Sequence, residues 1–209
     1  MTLRLADQAS WDDLATYVAR AKYLDSGGAA RLAGHARVLA VYVSPVHGGG
    51  GPDVLGLRTF ALAEPSDVDV VVDLAALTDR FARRAAEPVL PLPPAPATGV
   101  SWAGVAPPRS GWTALGQVPA DVLRDAARLG VAEVAAGVPD VAGAPAVARL
   151  RAGVWSRPAP GTEVPGGAAF AAEGLGFLGA EPVDVLVAGP WHRLSTRRGH
   201  VLVRRPLLA

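Results

Sequence analysis

A proline-rich stretch near the middle of the chain limits what the protein can fold into more than any other feature. Seven prolines lie between Pro88 and Pro108, and the stretch begins PVLPLPPAP. Proline lacks a backbone N–H donor and fixes φ near about −65°, so this stretch excludes regular helix and favours extended polyproline geometry. We therefore predict a linker or crossover at residues 88–112, between an N-terminal half (1–87) and a C-terminal half (113–209).

The N-terminal half has the pattern of an α+β domain with helices flanking an antiparallel sheet. Ser10 is placed to cap a first helix, and Asp73 a second. Residues 30–37 alternate between apolar and polar, and 38–43 and 55–62 are mostly apolar, so all three ranges are predicted to be strands. The apolar stripes of the two helices are Trp11, Leu14, Val18, Ala21 and Leu24, and then Leu74, Leu77 and Phe81.

The C-terminal half is predicted to contain helices followed by a β-hairpin. Helical patterns lie near residues 119–129, 144–155 and 167–178. Two apolar runs, Val183–Val187 and Val201–Val203, flank a polar connection that includes 195–199. Such runs around a polar connection are typical of a strand pair. The fold class predicted for the whole chain is α+β.

Composition excludes several classes of site. The chain has no cysteine, which excludes disulfides, thiolate zinc sites and cysteine nucleophiles. Its formal net charge of +1 argues against a protein covered by phosphate contacts. No secretory signal follows Met1, and no apolar run reaches the ~18 residues of a membrane span. We expect a cytoplasmic protein without a cofactor and without a membrane partner.

Asp67 and Asp69 form a weak candidate metal site. The segment SDVDVVVDL resembles the metal-binding strand of small nucleotidyltransferases. That resemblance implies that two carboxylates one residue apart hold Mg²⁺ against nucleotide phosphates. The family also places a Gly-Ser pair upstream, whereas here Gly56 is followed by Leu57. The alternative is a strand with an acidic solvent-facing side.

The arginines near the C-terminus form a candidate contact for nucleic acid or another anion: Arg193, Arg197, Arg198, Arg204 and Arg205. Three helices followed by a strand pair would suit a winged helix, with these arginines on phosphates. The segment 167–178, which would then read bases, contains no Arg, Asn or Gln. The alternative is a solvated arginine-rich turn.

Two further resemblances imply no activity: one is to the layout of a known fold, and the other is to a group of uncharacterised proteins. The layout of residues 11–84, with LGLRTFAL and DVDVVVDLAALTDRFA, resembles half of a DNA sliding-clamp domain. It implies a clamp-like α+β shape and no DNA encirclement, because fold does not imply function. The segments PPRSGWTALGQVPADVL and GPWHRLSTRRGHVLVRR resemble a group of uncharacterised proteins from high-GC actinobacteria.

No catalytic constellation emerges from these patterns, so the main prediction is a non-enzymatic protein-interaction or assembly protein. Its partner would be another protein or a second copy of the chain. Strand edges and the side chains of Trp102, Trp112 and Trp191 are the candidate anchors. The alternatives are a nucleic-acid-associated protein that uses the arginines, and a nucleotidyltransferase-like enzyme at Asp67 and Asp69.

Overall fold

Helices and antiparallel strands follow one another along the chain in the computed structural model, which confirms the α+β prediction. The structure describes residues 1–47, 51–83, 87–94, 96–104, 106–137 and 143–204. The chain divides into a first unit, Met1–Pro45 and Leu57–Val105, and a second unit, Val46–Gly56 and Ala106–Ala209. Of the predicted linker, residues 88–105 belong to the first unit and residues 106–112 to the second.

In the first unit, strands lie in the order β5-β2-β3-β4, and a separate antiparallel pair joins β1 to β6. Strand β2 pairs antiparallel with both β3 and β5. Strands β3 and β4 also contribute residues to the second unit. The elements up to residue 104 are β1 (Thr2–Arg4), α1 (Gln8–Leu24), β2 (Ala29–His35), β3 (Val38–Val46), β4 (Asp53–Ala61), β5 (Asp69–Asp73), α2 (Leu74–Ala82), β6 (Val89–Pro91) and a 3-10 turn (Ser101–Gly104).

Helix α1 begins earlier than the sequence pattern indicated. Its N-cap is Asp7, whose carboxylate accepts a hydrogen bond from the Ser10 backbone N–H at 2.7 Å, so Ser10 is not the cap. A carboxylate at the N-cap satisfies one of the free N–H groups of the first turn. Asp73 does occupy the N-cap of α2, although its side chain makes no capping bond. The two helices meet where the Trp11 and Phe81 rings pack edge to face, 4.9 Å apart.

The second unit contains a four-stranded antiparallel order, β7-β8-β9-β10, and three helices. Its core includes Leu123 of α3, Trp155 of α4 and Ala168 of α5, each at most 2% exposed. Trp155 stacks on Phe170 with ring centres 4.6 Å apart. The elements are β7 (Thr113–Val118), α3 (Ala120–Gly137), α4 (Ala144–Ser156), α5 (Gly166–Gly174), β8 (Val183–Ala188), β9 (Trp191–Thr196) and β10 (Gly199–Arg204).

The predicted C-terminal β-hairpin is a three-stranded meander. The expected polar connection contains a strand of its own, β9, which pairs with β8 on one side and β10 on the other. A polar strand is stable there because its backbone forms hydrogen bonds with two neighbouring strands while Leu194 is buried.

The third predicted helix ends at Gly174 instead of residue 178, and Phe177 is buried beyond the end of the helix.

Candidate interaction site

The arginine-bearing turn between β9 and β10 lines a cleft of about 700 Å³ within the second unit. The side chain of Arg197 is 86% exposed, yet its Nη1 lies 3.1 Å from Oε1 of Glu181. Arg198 Nη1 donates to the Leu178 carbonyl at 3.4 Å. The cleft is also lined by Asp184, so two arginines face two carboxylates. This balance gives the cleft little net positive charge to attract phosphates.

Arg193 and Trp112 lie in contact with each other in the structure. The sequence suggests Arg193 as an anion contact and Trp112 as a partner anchor. The guanidinium carbon of Arg193 lies 4.6 Å from the centre of the Trp112 ring. Trp112 is fixed in turn by its Nε1, which donates to the Pro108 carbonyl at 3.0 Å. Burial lowers the pKa of Arg193. Arg193 therefore packs the preceding segment onto β9 by a cation–π contact.

His200 faces Ser195 across β10 and β9, with Nδ1 and Oγ 3.0 Å apart. Burial lowers the pKa of His200, and the positive charge of Arg193 lowers it further. The same charge opposes the imidazolium that would form if His200 took the proton of Ser195. Activation of a serine nucleophile needs a stabilised imidazolium, so burial and the charge of Arg193 disfavour that role for this pair.

Arg204, the remaining predicted anion contact that the structure describes, does not lie in the turn. Arg204 ends β10, opposite Trp191 in the register, and is half-buried. Arg205 lies outside the described residues.

Two of the three predicted tryptophan anchors are inside the protein. Trp102 is 4% exposed and Trp191 is 5% exposed, so neither ring lies on a surface that a partner could contact. Both contribute to the core, where a large aromatic side chain gains most from burial. Trp112 is half-buried beneath its contact with Arg193.

Asp67 and Asp69 lie in different environments. Asp69 begins β5 and accepts two hydrogen bonds from Arg31, from Nε at 2.8 Å and from Nη2 at 2.7 Å. Arg31 also donates through Nη1 to the Ala103 carbonyl at 2.9 Å. The hydrogen bond with Asp69 raises the pKa of Arg31. Asp67 is exposed and precedes the strand. Within the described part of the chain, no group of three or more His, Asp or Glu side chains is placed to hold a metal ion.

Strand β7 is the site that sequence patterns did not identify. It ends the strand order of the second unit, pairing with β8 on one side. Residues 113–117 are all exposed, none of them carries a charge, and Leu115 is 57% exposed. By contrast, β5 at the end of the first unit's order carries Asp69 and Asp73. The Val71 carbonyl of β5 also accepts a hydrogen bond from the Ala97 N–H at 2.8 Å.

A cavity of about 340 Å³ adjoins β7. The strand contributes Leu115 and Val118 to its lining, and Val164 and Val185 add apolar surface from the neighbouring loop and from β8. The polar lining includes Thr162, whose Oγ1 donates to the Ala159 carbonyl at 3.0 Å. Next to an exposed strand edge, such a cavity can receive an apolar side chain of an added strand.

These features define a mixed α+β protein of two units whose second unit presents an exposed strand edge. Two family models match the chain in succession. One is described as Domain of unknown function (DUF8010) and matches residues 1–104; the other is described as Domain of unknown function (DUF8185) and matches residues 107–208. No curated protein matches the chain. Among the described residues, no helix is both long enough and apolar enough to cross a membrane.

Proposed function

We propose that the protein is a non-enzymatic interaction or assembly protein that binds a partner by strand addition to β7. The observation that carries this proposal is the exposure of five consecutive uncharged residues, 113–117, at the end of a strand order. An edge strand presents a row of backbone N–H and C=O groups to which another strand can pair.

The contrast between the two end strands supports this function. Natural sheets protect their edges with charged side chains, bulges or a covering segment. Strand β5 has two of these protections, in its aspartates and in the backbone bond to Ala97. Strand β7 has a bulge at Leu115, between Ala114 and Gly116, but it carries no charge, and Leu115 itself is exposed. An edge of this composition is a liability for aggregation unless a partner covers it.

The contacts at the other candidate sites add to the proposal. Asp69 is engaged by Arg31, and the charge of Arg193 opposes proton transfer from Ser195 to His200. The nucleic-acid alternative has weaker support, because Arg197 is paired with Glu181 and the cleft beside it contains balanced charges. At the β7 edge, by contrast, no ion pair has to be broken before a partner strand binds.

The test uses displayed peptides selected against the whole protein. We expect selected peptides that bind the wild type and lose at least about tenfold in affinity for Leu115→Lys, because a charge then lies at the interface. The matched control is Leu129→Lys on α3, since Leu129 is 54% exposed and Leu115 is 57% exposed. Amide chemical shifts that move in β7 on binding would support the proposal. Peptides that bind both variants equally, or that shift other regions, would overturn it.

A further inference from the structure

The exposed leucine and the cavity beside β7 are parts of one surface. Leu115 is 57% exposed, and the same residue lines the cavity together with Val118, Val164 and Val185. Val164 and Val185 are themselves 2% and 7% exposed. The β7 edge therefore combines a projecting apolar side chain with a recess that has apolar walls, although Glu163 and His192 also line that recess. A second copy related by a two-fold rotation would bring the same two features to this surface, and that rotation is the symmetry of the commonest homodimers.

We infer that the occupant of the β7 edge is a second copy of this chain, paired antiparallel about a two-fold axis close to Leu115. This inference rests on the proposed function and names its partner. Leu115 of each copy then covers the rim of the cavity of the other copy. Backbone groups on the outer side of β7, before and after the bulge at Leu115, then pair across the axis as in an antiparallel strand pair.

The composition of β7 is compatible with pairing to a second copy. In a symmetric pair, a charged side chain close to the two-fold axis would lie near the identical side chain of the other copy. Like charges directly opposite one another destabilise a strand pair. Strand β7 avoids this cost because Thr113–Val118 contains no ionisable side chain. The positive φ of Gly116, 147°, is in a region that favours glycine, which leaves space beside Leu115 without a side chain.

The first measurement is sedimentation velocity of the whole protein over a wide range of concentration. We expect a monomer–dimer equilibrium in the wild type that Leu115→Lys weakens by at least about tenfold. Leu129→Lys should dimerise as the wild type does, because Leu129 lies nine residues into α3, about 13 Å along the helix from Ala120.

The second measurement fixes the geometry. The chain has no cysteine, so Leu115→Cys introduces a unique thiol. If two copies align near this residue, mild oxidation forms a disulfide-linked dimer, because the two Cα atoms come within the roughly 4.4–6.8 Å that a disulfide spans. Leu129→Cys serves as the control and should not form the linked dimer.

The outcomes separate the two proposals. A dimer that depends on Leu115 and cross-links at Leu115→Cys supports a second copy. A chain that stays monomeric at every concentration, while β7 still binds selected peptides in a Leu115-dependent manner, overturns the second copy and leaves strand addition intact. A chain that neither dimerises nor binds peptides at β7 overturns both. A dimer that is indifferent to Leu115→Lys overturns this interface.

Discussion

The guanidinium carbon of Arg193 lies 4.6 Å from the centre of the Trp112 ring, and the charge of the same arginine lowers the pKa of His200. Burial is the larger cause of the His200 shift. Arg193 thus joins the segment before β7 to β9 and adds to the lowering of the His200 pKa that burial causes.

Replacing Trp112 tests how much its contact with Arg193 contributes to the stability of the fold. We expect Trp112→Ala to lower the free energy of unfolding by about 1–3 kcal/mol, since it removes a half-buried ring and a cation–π contact. Urea denaturation measures the change. A double-mutant cycle with Arg193→Met should give a coupling of about 0.5–1 kcal/mol. Additive effects would contradict a direct contact between these two side chains.

Replacing Arg193 also tests its effect on His200. With the positive charge gone, Arg193→Gln should raise the pKa of His200 toward its ordinary value, as followed by the ring proton shifts of the imidazole. Burial remains, so the pKa should stay below about 6.5. A His200 titration that is unchanged in the variant would show that Arg193 does not act on the imidazole.

The lowered pKa of His200 also predicts how stability depends on pH. A folded-state pKa below the unfolded value means that the unfolded chain binds more protons, so stability rises with pH. The contribution of His200 is complete above about pH 6.5 and is lost as the pH falls through the folded-state pKa. Because other groups titrate too, the measurement is the difference between wild type and His200→Gln across pH 4–8. The stability of the wild type relative to His200→Gln should rise as the pH rises. A difference that stays constant with pH would contradict the lowered pKa.

Replacing Asp69 tests whether this carboxylate belongs to a structural ion pair with Arg31 or to a metal site. Asp69→Asn should lower the free energy of unfolding by about 0.5–1.5 kcal/mol, because it weakens a bidentate pair that is partly exposed. Millimolar Mg²⁺ should leave the melting temperature of the wild type unchanged. A rise in melting temperature with Mg²⁺ that disappears in both Asp67→Asn and Asp69→Asn would instead favour the metal site.

Features that depend on local pattern were predictable from the sequence. The stripe from Trp11 to Ala21 predicted α1, and all four residues of it up to Ala21 are buried. The N-cap was misplaced because Asp7 and Ser10 are both good capping residues, and only the backbone geometry decides between them. Alternation and helical spacing report which face is buried, and this information lies within a few residues of chain.

Features that depend on distant residues were not predictable. Arg31 and Asp69 are 38 residues apart, and their pairing follows from the β2–β5 register. The burial of Trp102 and Trp191 likewise depends on what the fold places over them. Strand β7 lacks regular alternation, since Leu115 lies in a bulge, so no period-2 signal marked it. The available signal was a short uncharged run that contains Thr, Leu and Val between Gly111 and Pro119.

Two helix glycines provide a matched test of the core of the second unit. Gly130 lies in α3 against Trp155: a Cβ there would be 2.8 Å from Cη2 of that ring and closer still to Cζ3. Trp155 cannot move freely, because it is 2% exposed and stacks on Phe170. Gly153 lies in α4, and a Cβ there would meet no atom within 4 Å. The two substitutions to alanine therefore differ in packing and share the same gain in helix propensity.

We expect Gly130→Ala to lower the free energy of unfolding by about 1–3 kcal/mol, because overpacking outweighs the propensity gain of about 1 kcal/mol. Gly153→Ala should raise it by up to about 1 kcal/mol, because the alanine restricts the unfolded chain and meets no obstacle. Thermal or urea unfolding of both variants measures the pair. If Gly130→Ala proved as stabilising as Gly153→Ala, Trp155 would not pack against α3, and the arrangement of α3, α4 and α5 would have to differ from this one.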